Sequence, residues 1–195
     1  MNPKTILFFG PAGSGKGTQS EQLIKHFKSV DPERKIVYIE TGQKLREFIK
    51  EGGYTRGLVK DVMARGGLLP AFVPIFIWTN TFTNELDSSS HIILDGLCRR
   101  VPEAPILDEA MQFYGREKPV IVILNVSDEE CIRRALNRKR SDDKPEEIQK
   151  RLAWYRADVL PTLEYFRKNN YYTVLDVDGN QPAEKVNADI IAAIK

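Results

Sequence analysis

Phe8-Phe9-Gly10-Pro11-Ala12-Gly13-Ser14-Gly15-Lys16-Gly17-Thr18-Gln19 decides how the rest of this chain is read. The apolar run Ile6-Leu7-Phe8-Phe9 predicts a buried strand, which Gly10 ends. Apolar residues then recur at helical spacing, at Leu23, Ile24 and Phe27. Between strand and helix lies Gly-x-x-x-x-Gly-Lys, a loop suited to phosphate. Its glycines let successive backbone N–H groups close on an anion. The helix N-terminus adds partial positive charge, and Lys16 adds a full one. The generic pattern places Ser or Thr directly after the lysine; here Gly17 intervenes before Thr18. An ordinary glycine-rich turn is the plain alternative, and the strand–loop–helix context favours phosphate. The loop does not by itself name a reaction.

Working outward, Lys35 to Ile39 predicts a second strand, with a helix opening at Thr41-Gly42. Gly52, Gly53, Gly57, Gly66 and Gly67 punctuate the next stretch, as expected of a small mobile lobe. A helix is predicted from about Pro70 to Leu86, followed by a third strand, His91 to Gly96, that carries the carboxylate Asp95. Val120 to Leu124 predicts a fourth strand buried on both faces, and Tyr171 to Leu175 a weaker fifth. Helical patterns separate the strands, so the expected class is α/β with a parallel sheet covered on both faces. Ligands of such a sheet bind beyond the carboxyl ends of the strands, where the loop, Asp95 and Gly179 should gather. Asp95 is the candidate holder of Mg²⁺, directly or through water.

The bulk composition narrows the class. The chain has 195 residues, 42% hydrophobic and 29% charged, enough for one domain with a substantial core. A formal net charge of +2 gives no general argument for a nucleic-acid or membrane partner. Cys98 and Cys131 are too few for a disulfide framework or a four-cysteine zinc site. No leader or membrane-length apolar run is visible, so a cytoplasmic location is expected. His26 and His91 are the only histidines, which argues against a histidine-based mechanism.

Arginines are the remaining signal. Arg46 follows Thr41, and Arg99 follows the Asp95 strand. Arg134 and Arg138 share a helix face, Arg140 comes two residues later, and Arg151 lies on the next helix. Singly each reads as a surface cation; jointly, at strand ends and helix starts, they read as an anion cage.

With these blocks in order, Gly10 to Gln19, Thr41 to Arg46, Asp95 to Arg99, and Asp142-Asp143 with Lys150-Arg151-Leu152, the chain resembles the adenylate kinase type of nucleoside monophosphate kinase. Gly17 is the usual residue there. The resemblance implies a P-loop nucleoside triphosphate hydrolase-like three-layer fold with a five-stranded parallel sheet. It implies a core of 1–40, 73–137 and 144–195, a helical acceptor lobe at 41–72 and a very short lid at 138–143. It implies that Gly13, Ser14, Gly15, Lys16, Gly17 and Thr18 hold the ATP phosphates, with Arg134 and Gly179 beside the donor base. Thr41, Arg46, Gly96, Arg99, Glu103, Arg140 and Arg151 would take AMP. Lys16, Arg99, Arg138, Arg140 and Arg151 would gather on the transferring group. Mg²⁺ would accompany ATP, with no zinc, in a monomer whose partners are nucleotides and neither nucleic acid nor membrane.

Departures from the family leave alternatives open. Leu97-Cys98 replaces a common Phe-Pro, so the peptide before Cys98 is either trans or strained. Glu103 stands where Gln is usual, and a carboxylate that only accepts suits guanine better than adenine, whereas Thr41 favours adenine. Gln43 replaces a usual acidic residue without an evident reason. With only Lys139 between Arg138 and Arg140, the lid is expected to exclude water poorly. GMP or a pyrimidine monophosphate as acceptor, and a non-catalytic nucleotide sensor or assembly factor, remain competing readings.

Overall fold

The computed structural model describes residues 2–138 and 143–194. Among these, strands β1 (Thr5–Phe9), β2 (Ile36–Glu40), β3 (His91–Asp95), β4 (Val120–Asn125) and β5 (Thr173–Asp178) form one parallel sheet in the order β2-β3-β1-β4-β5. β1, β3 and most of β4 are buried on both faces, as their unbroken apolar sequences predict.

Alternation along each strand divides the core into two layers. Leu7 and Phe9 point to one face with Val37, Ile92 and Ile121. That face is covered by α4 (Phe72–Glu85), α5 (Glu103–Phe113) and α8 (Leu160–Arg167) through Trp78, Phe82, Leu107 and Phe166. Ile6 and Phe8 point the other way, onto α1 (Lys16–Val30) and α9 (Ala183–Ala193) through Leu23, Phe27, Val186 and Ile190. The three-layer α/β expectation holds.

Two smaller apolar clusters sit at the carboxyl ends of the strands. Leu45, Val59, Leu69, Val73 and Ile77 join α2 (Thr41–Phe48) and α3 (Tyr54–Ala64) to the start of α4. Cys131, Ala135, Ile148 and Leu152 join α6 (Asp128–Arg138) to α7 (Pro145–Trp154). α7 runs through a π-helical turn, Tyr155–Val159, directly into α8.

The fifth strand begins later than its sequence implies, at Thr173. Tyr171 and Tyr172 are used elsewhere: their hydroxyls donate to the Arg116 carbonyl and to the Asp108 carboxylate, which tie them to α5 and its C-terminal loop. Arg140 and Asp142, with the middle of the expected lid, lie outside the described residues. No helix of the described residues is long and apolar enough to cross a membrane.

Candidate active site

A cleft of about 620 Å³ opens beyond the carboxyl ends of the strands. Register brings its floor together: Phe8 and Glu40 both pair with Asp95, so the carboxylates of Asp95 and Glu40 end the two neighbouring strands on one side of the glycine loop. The loop itself curls back on its own helix. Gly13 has φ +88°, and a Cβ there would stand 2.1 Å from the Cys131 carbonyl oxygen of α6. No L side chain fits that combination of torsion and contact. Lys16 Nζ donates to the carbonyls of Gly10 at 2.8 Å and Pro11 at 3.0 Å. Burial depresses the Lys16 pKa, Asp95 opposes the depression, and the nearby Arg99 and Arg138 add to it.

Six cations line this one cleft among the described residues: Lys16, Arg46, Arg99, Arg134, Arg138 and Arg151. They arrive from different elements, and each is held by an identifiable partner. Arg99 Nε donates to the Gly96 carbonyl at 2.8 Å, and its guanidinium carbon lies 5.5 Å from the centre of the Trp154 ring. Its pKa is lowered, first by burial and then by Arg151 and Arg46, while Glu103 and Asp95 resist. In both Lys16 and Arg99 burial is the first cause and neighbouring arginines add to it, so these two cations sit in the positive field of others. Arg46 Nη2 pairs with Glu40 Oε1 at 3.0 Å. Arg138 grips Asp143 with Nε and Nη2 at 3.0 and 2.9 Å, and Arg151 Nη1 reaches the same carboxylate at 3.1 Å. The Asp143 side chain is fully buried, so one carboxylate aligns two guanidinium groups.

Gly13, Gly15, Gly17, Thr18, Asp95 and Gly96 line the same cleft. Ser14 is buried, and with Gly15, Thr18, Arg134 and Gly179 it lines an adjoining cavity of about 390 Å³. Arg134 belongs to both cavities; its Nε pairs with Glu130 at 2.6 Å and its Nη1 lies 3.4 Å from the Ser14 carbonyl. Thr41 and Glu103 are buried and do not line the main cleft. Glu103 Oε1 accepts from the Arg100 backbone N–H at 3.1 Å. Its Oε2 has no hydrogen-bond partner among the described residues, and burial pushes its pKa up to about 7.

The peptide geometry before Arg99 resolves one open alternative. No peptide bond among the described residues is cis, and Cys98 instead adopts φ +49°. A fully buried non-glycine residue in the left-handed region costs about 1–3 kcal/mol and is held by its surroundings. Leu97, Ala104 and Leu107 pack in the same core as Cys98, which fixes the turn that presents Arg99. Burial raises the Cys98 thiol pKa well above its ordinary value, so it is an inert packing group.

Asp95 fits a metal held mostly by other ligands. Its Oδ2 lies 3.8 Å from where a Cβ on Gly17 would stand, which leaves room between loop and carboxylate. No cluster of three or more His, Cys, Asp or Glu that would form an all-protein cage exists among the described residues. One carboxylate beside a phosphate loop suits Mg²⁺, which keeps waters and takes its remaining ligands from substrate phosphates.

Sequence reading gave no role to Glu40, Asp143 or Trp154. Glu40 carries a signal, since it ends its strand beside a glycine turn as Asp95 does. Asp143 stands in the Asp142-Asp143 block that carried the resemblance, but neither its role nor that of Trp154 is legible there, because their partners are set only when separate helices meet.

A family model described as adenylate kinase matches residues 8–171. An adenylate kinase from Nitrobacter hamburgensis is 34% identical over 97% of this chain and 91% of its own length. One from Petrotoga mobilis is 29% identical over 97% of both chains, and one from Phocaeicola vulgatus 32% identical over 97% of both.

Proposed function

The chain belongs to the adenylate kinase family, and from that premise we propose that it is a reversible, Mg²⁺-dependent phosphotransferase that moves the terminal phosphoryl group of ATP to AMP. One observation carries the reading: Lys16, Arg46, Arg99, Arg138 and Arg151 converge on a single cleft beside the glycine loop. Bringing two anionic phosphate chains together costs about 4 kcal/mol for each unit-charge pair at roughly 4 Å and an effective dielectric of about 20. Several such pairs must be offset, so one lysine does not suffice. Phosphoryl transfer asks little else of a protein than positioning and charge, and a general base is not required.

In this reading the loop from Gly13 to Thr18 cradles the donor phosphates, with Lys16 leaving the carbonyls of Gly10 and Pro11 to meet them. The cavity between Arg134 and Gly179 receives the donor base. Arg46 and Arg99 take the acceptor phosphate, while Arg138 and Arg151, aligned by Asp143, reach the group in flight together with Arg140. Asp95 would hold Mg²⁺ through water, and the ion would supply charge neutralisation on the donor phosphates. The acceptor lobe is 41–72, and its closure with the very short lid at 138–143 screens the reacting groups from water less fully than a longer lid would. The protein acts as a monomer in the cytoplasm.

The residue type at Glu103, which the structure holds buried outside the main cleft, is the sequence reason for a second acceptor. A carboxylate in reach of the base would match the two adjacent donors of guanine. Initial rates with AMP, GMP, CMP and UMP, each with and without Mg²⁺, separate the readings. AMP with Mg²⁺ is expected to be fastest. A GMP preference abolished in Glu103→Gln would transfer the assignment to a guanylate acceptor. ATP binding with no transfer to any acceptor would leave only a nucleotide sensor.

A further inference from the structure

Trp154 ends α7 three residues beyond Arg151, half-buried in the wall of the cleft. It makes two directed contacts to parts of the molecule that are remote in sequence. Its Nε1–H donates to the Gly66 carbonyl at 3.0 Å, and its ring face lies under the Arg99 guanidinium at 5.5 Å. Gly66 is the turn that closes α3, with φ +66°, and it meets α7 closely. A Cβ on Gly66 would stand 2.5 Å from Glu147 Oε2 and 3.0 Å from the Glu147 carbonyl. Lys150 Nζ reaches toward the neighbouring Arg65 carbonyl at 3.5 Å. The α2–α3 lobe thus docks on α7 along one short seam, and Trp154 is the member of that seam that also touches an anion-site arginine.

We propose that Trp154 is a positioning residue that couples the acceptor lobe to the acceptor arginine, its indole N–H holding the Gly66 turn and its ring face steering Arg99. The two contacts use different parts of one rigid side chain, so a shift in either is felt by the other. A guanidinium drawn toward an entering phosphate alters its stacking on the indole, and an indole that moves loads the bond to Gly66. The π-helical turn after Trp154 gives the helix a local place to absorb such a movement. Docking of the lobe and engagement of Arg99 therefore become one event. The inference rests on the reading of Arg99 as the acceptor-phosphate ligand.

The test uses Trp154→Phe, which keeps a ring face and removes the N–H, and Trp154→Ala, which removes both. KM for AMP is expected to rise about three- to tenfold in W154F, the worth of one net hydrogen bond. W154A should show a larger rise, with KM for ATP shifting less than about twofold in either. Wild-type indole emission should change on titration with AMP, and W154F, which retains the core Trp78, should lose that response. An unchanged KM for AMP in both variants overturns the proposal. Equal rises for both nucleotides, or a wild-type emission indifferent to AMP, also overturn it. If the wild type transfers nothing to AMP, the acceptor reading falls and this inference falls with it. An active wild type with kinetically silent variants removes only the role of Trp154.

Discussion

Arg46 and Glu40 face each other inside the cleft, Nη2 3.0 Å from Oε1, so this cleft arginine already has a carboxylate partner. Both side chains are only partly exposed, at 30% and 17%, which keeps the pair from being screened away. Under the proposed role of Arg46, an entering phosphate competes with Glu40 for the same guanidinium. Glu40→Gln removes the competing charge but keeps an acceptor oxygen. KM for AMP is expected to fall about three- to tenfold, with little change in KM for ATP. A raised KM for AMP would mean that Glu40 orients Arg46 for the phosphate instead of occupying it.

Gly13 and Gly15 should respond differently to alanine, although both have left-handed torsions of +88° and +96°. At Gly15 the nearest atom to a new Cβ is Arg134 Nη1 at 3.7 Å, so the cost is torsional, about 1–3 kcal/mol. At Gly13 the Cβ collides with the backbone of Cys131, a helix that cannot give way like a side chain. G13A is expected to lose nearly all ATP affinity and to shift the loop against α6, while G15A keeps measurable activity. Isothermal titration with ATP ranks the two.

Lys16→Met should leave the fold intact and lower kcat by at least about 10²–10³, the loss typical of one positioned charge at a developing anion. Single-turnover assays and thermal melts together distinguish this from unfolding.

Glu103 makes stability depend on pH in a direction opposite to that of most carboxylates. Its folded pKa, about 7, lies above the ordinary 4.5, because burial disfavours the ionised form. The folded state therefore binds more protons than the unfolded one between these values. The stabilising contribution is full below pH 4.5 and is lost as pH rises through 7, by up to about 3 kcal/mol. Glu103→Gln should raise Tm relative to wild type at pH 8 and much less at pH 5. Buried His91, whose pKa is lowered mainly by burial, has the opposite slope, but it is common to both proteins and cancels in the difference. A Tm difference that does not vary with pH would show that Glu103 is not carrying this proton.

Local chemistry determined a great deal from sequence alone. The strand–loop–helix around Lys16, the carboxylate ending β3 and the arginines spaced along α6 and α7 depend on neighbours within a few residues, and periodicity and turn residues report those directly. Only the tertiary structure decided how these pieces face one another. β5 starts at Thr173 because Asp108 and Arg116, more than fifty residues away, take the tyrosine hydroxyls. Asp143 between two arginines, Glu103 turned to Arg100, and Trp154 between Gly66 and Arg99 have the same origin. A side chain's partner is set by which helices the sheet brings together, and that is a property of packing across the whole chain.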